Sequence, residues 1–196
     1  MMQPNVITIY TDGGCRLTNG PGAWAWRAEY PDGTYREEVG HDLCATNNRM
    51  EMTAALRAIE ALMPRDKALI VTDSQYLQQG FMSWVKGWRA RGWRTASDGE
   101  VKNVDLWKSL LKAAEGKDIQ FTWVKGHNGT PSNERVDRLC SAEIRRITGK
   151  KSRFEKRKNP TLRCPVCQMA LSLVEVAGRP HWTCIGWKDH DKEAEV

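Results

Sequence analysis

The chain has no hydrophobic run long enough to cross a bilayer, no internal repeat and no low-complexity segment. A spanning helix needs about 20 consecutive apolar residues, so an integral membrane protein is not expected. The first apolar run, Val6 to Tyr10, leads straight into a polar motif rather than a small-residue cleavage site. No secretory leader is therefore expected, and a cytoplasmic protein is. Cysteine is sparse over most of the length. Cys15, Cys44 and Cys140 stand far apart with no metal-ligand spacing and read as small apolar residues. The pattern does not describe a disulfide scaffold. At 196 residues there is room for one ordinary domain and a small module. Nothing argues for an obligate oligomer, so a monomer is expected.

Charge is unevenly placed. Residues 1–149 hold 20 Lys and Arg against 18 Asp and Glu, residues 150–160 hold six against one, and residues 161–196 hold four against five. The basic excess therefore sits between two halves. It reads as a solvated linker that can add sequence-independent phosphate contacts.

Val6 to Thr11 alternates and reads as a strand; Gly22 to Tyr30 and Thr34 to Gly40 read as a hairpin about the turn Pro31-Asp32-Gly33. Thr46 to Met63 carries Met52, Ala55, Leu56, Ile59 and Leu62 on one helical face, and Pro64 stops it. Ala68 to Thr72 and Asp118 to Val124 read as strands. A helix starts within Asp73 to Gln79; Val104 to Ala114 and Pro131 to Ile147 are further helices. An antiparallel opening followed by strand–helix units predicts an α/β protein with a mixed sheet flanked by helices.

Four acids stand in distinctive settings. They are Asp12 in Thr11-Asp12-Gly13, Glu51 in Thr46-Asn47-Asn48-Arg49-Met50-Glu51, Asp73 in Thr72-Asp73-Ser74, and Asp137 in Asn133-Glu134-Arg135-Val136-Asp137. Two end strand-like runs and two lie within helix-like runs. Converging carboxylates suit hard divalent cations, which take oxygen ligands and complete their shell with substrate phosphate. Any single acid alone would read as a cap or a solvated side chain.

These motifs, with Val101-Lys102-Asn103-Val104-Asp105-Leu106-Trp107 and Trp123-Val124-Lys125-Gly126-His127, occur in one order. Over about Val6 to Ile147 the chain closely resembles ribonuclease HI, which cuts the RNA strand of RNA–DNA hybrids. The resemblance implies a ribonuclease H-like fold with a five-stranded mixed sheet. It implies a two-metal-ion endonuclease giving 5′-phosphate and 3′-hydroxyl ends. Asp12, Glu51, Asp73 and Asp137 would hold two Mg²⁺, with Mn²⁺ as a possible substitute, and Asp12 would bridge them. His127, in a Gly-rich loop, would shuttle protons. Asn47, Asn48, Gln75 and Asn103 would read the two sugars in the minor groove, with Thr46 and Arg49 near a DNA phosphate; Asn47-Asn48 also reads as a plain helix cap. The stretch from Trp84 to Arg94 interleaves Trp with Lys and Arg and resembles the family's basic protrusion. Lys86, Arg89, Arg91 and Arg94 would supply the charge that grips the DNA strand there; Trp84, Trp88 and Trp93 would pack the protrusion or contact sugar, and Trp88, four residues after Trp84, reads as core. One departure is visible: in the loop after Asp12, Thr18 or Asn19 would have to make the RNA contact for which the family commonly uses an Asn.

Residues 161–196 carry Cys164, Cys167, Cys184 and His190 in a C-x2-C-x16-C-x5-H pattern. Three thiolates and an imidazole make a closed structural Zn²⁺ site. The pattern resembles the zinc ribbons appended to bacterial type I topoisomerases. His181 competes as fourth ligand but stands close to Cys184 for ribbon geometry. A 36-residue module of this composition would need metal to fold. A hairpin is expected over Ala170 to Thr183, and Trp182 and Trp187 would pack a small core or stack on a base.

The expected organisation is thus a ribonuclease H domain at 1–149, a basic linker at 150–160 and a zinc ribbon at 161–196. The contrasting expectation is a hybrid-binding protein that has lost catalysis, against which the complete acid set and His127 argue. A DNA-cutting relative is disfavoured by the asparagine cluster and the basic protrusion.

Overall fold

Alternation sets the first strand. Along β1 (Val6–Cys15), Ile7, Ile9 and Thr11 are buried on one face, while their neighbours turn to the other. The computed structural model describes residues 6–17, 19–126, 129–149, 171–176 and 179–184, the last two stretches as backbone only. By its internal contacts the chain divides into two units, Met1–Thr148 and Gly149–Val196.

In the first unit, β2 (Gly20–Glu29) and β3 (Tyr35–Ala45) follow β1 in antiparallel sequence. The turn between them is closed by Asp32, whose Oδ1 accepts from the Thr34 N–H at 2.9 Å, and by Gly33 at φ +85°. Both β1 and β3 run further than sequence periodicity predicts, because pairing with β2 carries them past their apolar cores to Cys15 and Ala45. α1 (Asn47–Glu60) then crosses to β4 (Lys67–Thr72), which pairs parallel to β1. β5 (Asp118–Trp123) pairs parallel to β4. The five strands stand in the order β3-β2-β1-β4-β5, so β1 is central.

The sheet separates two cores. On one face, Ile7, Ile9, Trp26 and Ile70 pack under Met52, Leu56 and Ile59 of α1. On the other, Ala25 meets Val136 and Cys140 of α5 (Pro131–Ile147), flanked by Tyr10 and Leu139. Each fully buried large side chain contributes roughly 1.5–3 kcal/mol.

The Trp-rich stretch is not one regular helix. α2 (Gln75–Gln79) passes through a π-helical turn at Gly80–Trp84 into α3 (Val85–Ala90). The turn lies against Trp107 of α4 (Val104–Ala114): a Cβ on Gly80 would come within 2.3 Å of the Trp107 ring. Trp107 is fully buried, and its indole donates to the Tyr76 hydroxyl at 3.1 Å. Trp88 packs edge-on to Trp107 with ring centres 5.6 Å apart, as its spacing predicts, and half-exposed Trp84 leans on Trp88.

In the second unit, β6 (Leu171–Val176) and β7 (Arg179–Cys184) form an antiparallel hairpin, where one is predicted from the sequence. Among the described residues no helix is long and apolar enough to cross a membrane.

Candidate active site

Strand register brings the first two acids together. β1 and β4 run parallel with Thr11 opposite Thr72, and one residue further along each strand stand Asp12 and Asp73. Neighbouring strands lie about 4.8 Å apart, so the two side chains leave the sheet as neighbours at its carboxyl edge. The charge effect of Asp73 on Asp12 follows from this placement.

Glu51 reaches the same edge because of what Gly13 lacks. α1 sits so close over β1 that a Cβ on Gly13 would fall 2.2 Å from the Met50 carbonyl carbon and 2.4 Å from the Glu51 nitrogen. The first turn of α1 therefore lies directly on the strand that carries Asp12. Thr46 caps that turn, its Oγ1 accepting from the Arg49 N–H at 3.4 Å. Here the structure departs from the cap reading of Asn47-Asn48. The helix begins at Asn47, and the Asn47 Oδ1 instead accepts from the Cys15 N–H at 2.7 Å, tying α1 to the end of β1.

The Glu51 carboxylate accepts a short hydrogen bond from the Ser74 hydroxyl. The same hydroxyl accepts from the Leu77 N–H at 3.3 Å and so caps α2. The segment after β4 is thereby locked to α1.

Asp137 approaches from the opposite face of the sheet. α5 seats Cys140 against β1, with its Sγ 3.2 Å from the main-chain oxygen of Asp12, and Asp137 adds to the negative potential at Asp12. The start of α5 is pinned by an ionic lattice. Glu37 of β3 accepts from Arg27 at 2.6 Å and from Arg135 at 2.9 Å; Glu29 accepts from Arg27 at 2.8 Å and from the Ser132 hydroxyl.

All four acids are partly exposed. Burial, then the nearby charges of Asp73 and Asp137, push the Asp12 carboxyl up to about 6. Glu51 is raised too, by burial first and then by Asp73 and Asp12. Carboxylates that raise one another's pKa form a negative well, which a divalent cation relieves. Among the described residues no three acids, histidines or cysteines stand as a ready-made cage. Mg²⁺ keeps several waters and uses one or two carboxylates plus substrate phosphate. The donor set, oxygen only and mutually repulsive, fits such a cation.

His127 lies outside the described residues, as do Thr18, Cys164, Cys167 and His190; of Cys184 and His181 only the place in β7 is described. The backbone before His127 is informative: a Cβ on Gly126 would come within 2.8 Å of the Asp73 Oδ2.

The predicted substrate contacts fall in two groups. Asn47, Asn48 and Gln75 are exposed near the start of α1 and α2. Arg49 reaches across to Asn103 at 3.4 Å and pairs in two-pronged fashion with Asp105 at 2.8 and 3.2 Å. Asn103 adopts the left-handed conformation, φ 56°, at the start of α4. Trp84 and Arg91 line an open groove with Ser83, Gly87, Trp88 and Ala96, while Lys86 and Arg89 are exposed on α3. Arg94 is paired with Asp98 at 2.6 Å.

Three residues of the site were not singled out from the sequence: Gly13 as the seat of α1, Ser74 as the partner of Glu51, and Trp123, whose indole donates to the Asp73 main-chain oxygen at 2.9 Å. Their only sequence signal is adjacency to the motif acids and to His127.

The profile of the family described as RNase H matches residues 4–145. A ribonuclease H of Polaromonas naphthalenivorans is 45% identical over 150 residues, covering 76% of this chain and 92% of that protein. One of Granulibacter bethesdensis is 48% identical over 139 residues, covering 71% and 92%. Among solved structures, that of LC9-RNase H1, a type 1 RNase H with the type 2 active-site motif, superposes with a TM-score of 0.64 at 29% identity, covering 77% of this chain and 76% of that one.

Proposed function

Since the chain belongs to the ribonuclease H family and hydrolyses the RNA strand of RNA–DNA hybrids, we propose that Asp12, Glu51, Asp73 and Asp137 are the acids that hold its divalent cations. The observation that carries this reading is the β1–β4 register, which sets Asp12 and Asp73 side by side with the carboxyl of Asp12 raised to about 6. Bound there, two Mg²⁺ supply a water of lowered pKa and offset charge on the leaving 3′ oxygen.

The protein's own residues do the rest. Asp12 and Asp73 would hold the cations at the carboxyl edge of the sheet, where the scissile phosphate would dock. Glu51, braced by Ser74, and Asp137, carried by the pinned helix α5, close the site from opposite faces. The His127 imidazole accepts and returns protons as water enters and the 3′-hydroxyl leaves. Asn47, Asn48, Gln75 and Asn103 read the sugar edges, since the 2′-hydroxyl is what separates RNA from DNA. Arg49, held in orientation by Asp105, meets a DNA phosphate with Thr46, and Trp84, Lys86, Arg89 and Arg91 hold the DNA strand.

One strand sequence presented as hybrid, duplex RNA, duplex DNA and single-stranded RNA tests this. Cutting is expected for the hybrid RNA alone, with Mg²⁺ and not with EDTA. Binding without cutting would sink the catalytic reading.

In the second unit, Cys164, Cys167, Cys184 and His190 are the proposed ligands of a structural Zn²⁺. The support is their spacing and the chemistry of three thiolates with an imidazole. One zinc per chain is expected by elemental analysis, and none after Cys164→Ser with Cys167→Ser. A zinc-free wild-type protein would rule the ribbon out.

A further inference from the structure

The β4–β5 ladder ends one residue short of Asp73. Its last main-chain rung runs from the Val124 N–H to the Thr72 carbonyl at 3.0 Å. The next carbonyl along the chain is that of Asp73, and beyond Trp123 the chain leaves β5. A side chain takes over at that point. The indole N–H of Trp123, the last residue of β5, donates to the Asp73 main-chain oxygen at 2.9 Å. Trp123 does this while 42% exposed, outside either core.

A second contact reaches Asp73 from the same segment. Three residues after Trp123, the backbone of Gly126 lies against the Asp73 carboxylate so closely that a Cβ would meet Oδ2 at 2.8 Å. One strand end therefore bonds the Asp73 carbonyl and lies close against its carboxylate.

We infer that Trp123 is a positioning residue for cleavage: its indole ties the Asp73 carbonyl to the end of β5, and with Gly126 it fixes Asp73 in alignment with Asp12. The inference rests on Asp73 being a cation ligand. Displacement of a reacting group by about 1 Å is enough to cost on the order of 10²-fold in rate. Phenylalanine at 123 keeps the ring and removes only the donor.

The test uses the full chain with Trp123→Phe, Gly126→Ala and Asp73→Asn. For Trp123→Phe, kcat is expected to fall about tenfold, with the KM for hybrid within about twofold and the melting temperature within about 2 °C of wild type. Calcium binding, followed by calorimetry without turnover, should weaken several-fold. Gly126→Ala should shift kcat and calcium affinity the same way and further. Unchanged kcat and calcium affinity in Trp123→Phe would overturn the inference. So would a raised KM at constant kcat, which would make Trp123 a substrate contact, or a loss of kcat that only tracks loss of folded protein. Asp73→Asn separates the two levels: if it cleaves normally, the cation-ligand reading itself fails; if it is inactive while Trp123→Phe is normal, only the positioning role fails.

Discussion

Asp12→Asn is expected to abolish cleavage and at the same time make the cation-free protein more stable. The folded carboxyl titrates at about 6, against 3.8 for its ordinary value. Between those values the folded state binds the proton more tightly than the unfolded chain, so stability falls as pH rises through the window. By pH 7 the whole penalty is present, on the order of 3 kcal/mol at about 1.4 kcal/mol per unit. Asparagine keeps the shape and removes the charge. In EDTA at pH 7 the variant should therefore unfold at higher urea than wild type. Below about pH 3, under both values, the wild-type carboxyl is protonated in both states and the difference should vanish. Hybrid cleavage should fall by at least roughly 10³-fold. A variant no more stable than wild type at pH 7 would mean that Asp12 is not buried against its neighbours as described. A variant that still cuts would remove Asp12 from the reaction. The pairing of lost activity with gained stability is the signature of a site built from like charges.

Gly13→Ala should be the most disruptive single methyl group in the first unit. The added carbon would stand 2.2 Å from the Met50 carbonyl carbon and 2.4 Å from both the Met50 oxygen and the Glu51 nitrogen. These are backbone atoms, so no rotamer change relieves the clash; α1 must lift from β1. Overpacking of this kind costs roughly 1–3 kcal/mol, occasionally more, and urea unfolding should show a loss at the upper end. Glu51 moves with the helix, so kcat should drop on the order of 10²-fold in the fraction that folds. Retained stability with full activity would mean that the close seat of α1 is not needed. Gly14, next along the strand, has open space around the same position. Gly14→Ala is the matched control, with a small effect on both measures.

The difference between those two glycines marks where sequence reading stops. Alternation in Val6 to Tyr10 and the spacing of Met52, Ala55, Leu56 and Ile59 are local signals, and they located β1 and α1 because burial on one face leaves a period in the chain. The acids were legible as motifs, though nothing local says that Thr11 stands opposite Thr72. Gly13 and Gly14 read alike until a helix from 37 residues further on is laid over one of them. Asn47 has the composition of a cap, yet long-range pairing with Cys15 gives it another partner and leaves the cap to Thr46. Trp84 and Trp88 both line the groove; the spacing marked Trp88 as core, and its edge-on packing against Trp107 is the long-range contact behind that reading. Trp123 read as part of a motif; its bond to the Asp73 carbonyl depends on where β5 ends relative to β4.

The parallel pairing of β1 with β4 also acts as a ruler. Side chains on a strand alternate with a period of two, so a slip of one residue would turn Asp12 to the face occupied by Ile9 and Thr11, under α1, and bring Gly13 into its place. Substitutions along Val6 to Thr11 change how well the strand packs; an inserted or deleted residue there changes which face the Asp12 carboxylate looks out from. The length of β1 ahead of Asp12 is thus a tighter constraint on this fold than its spelling.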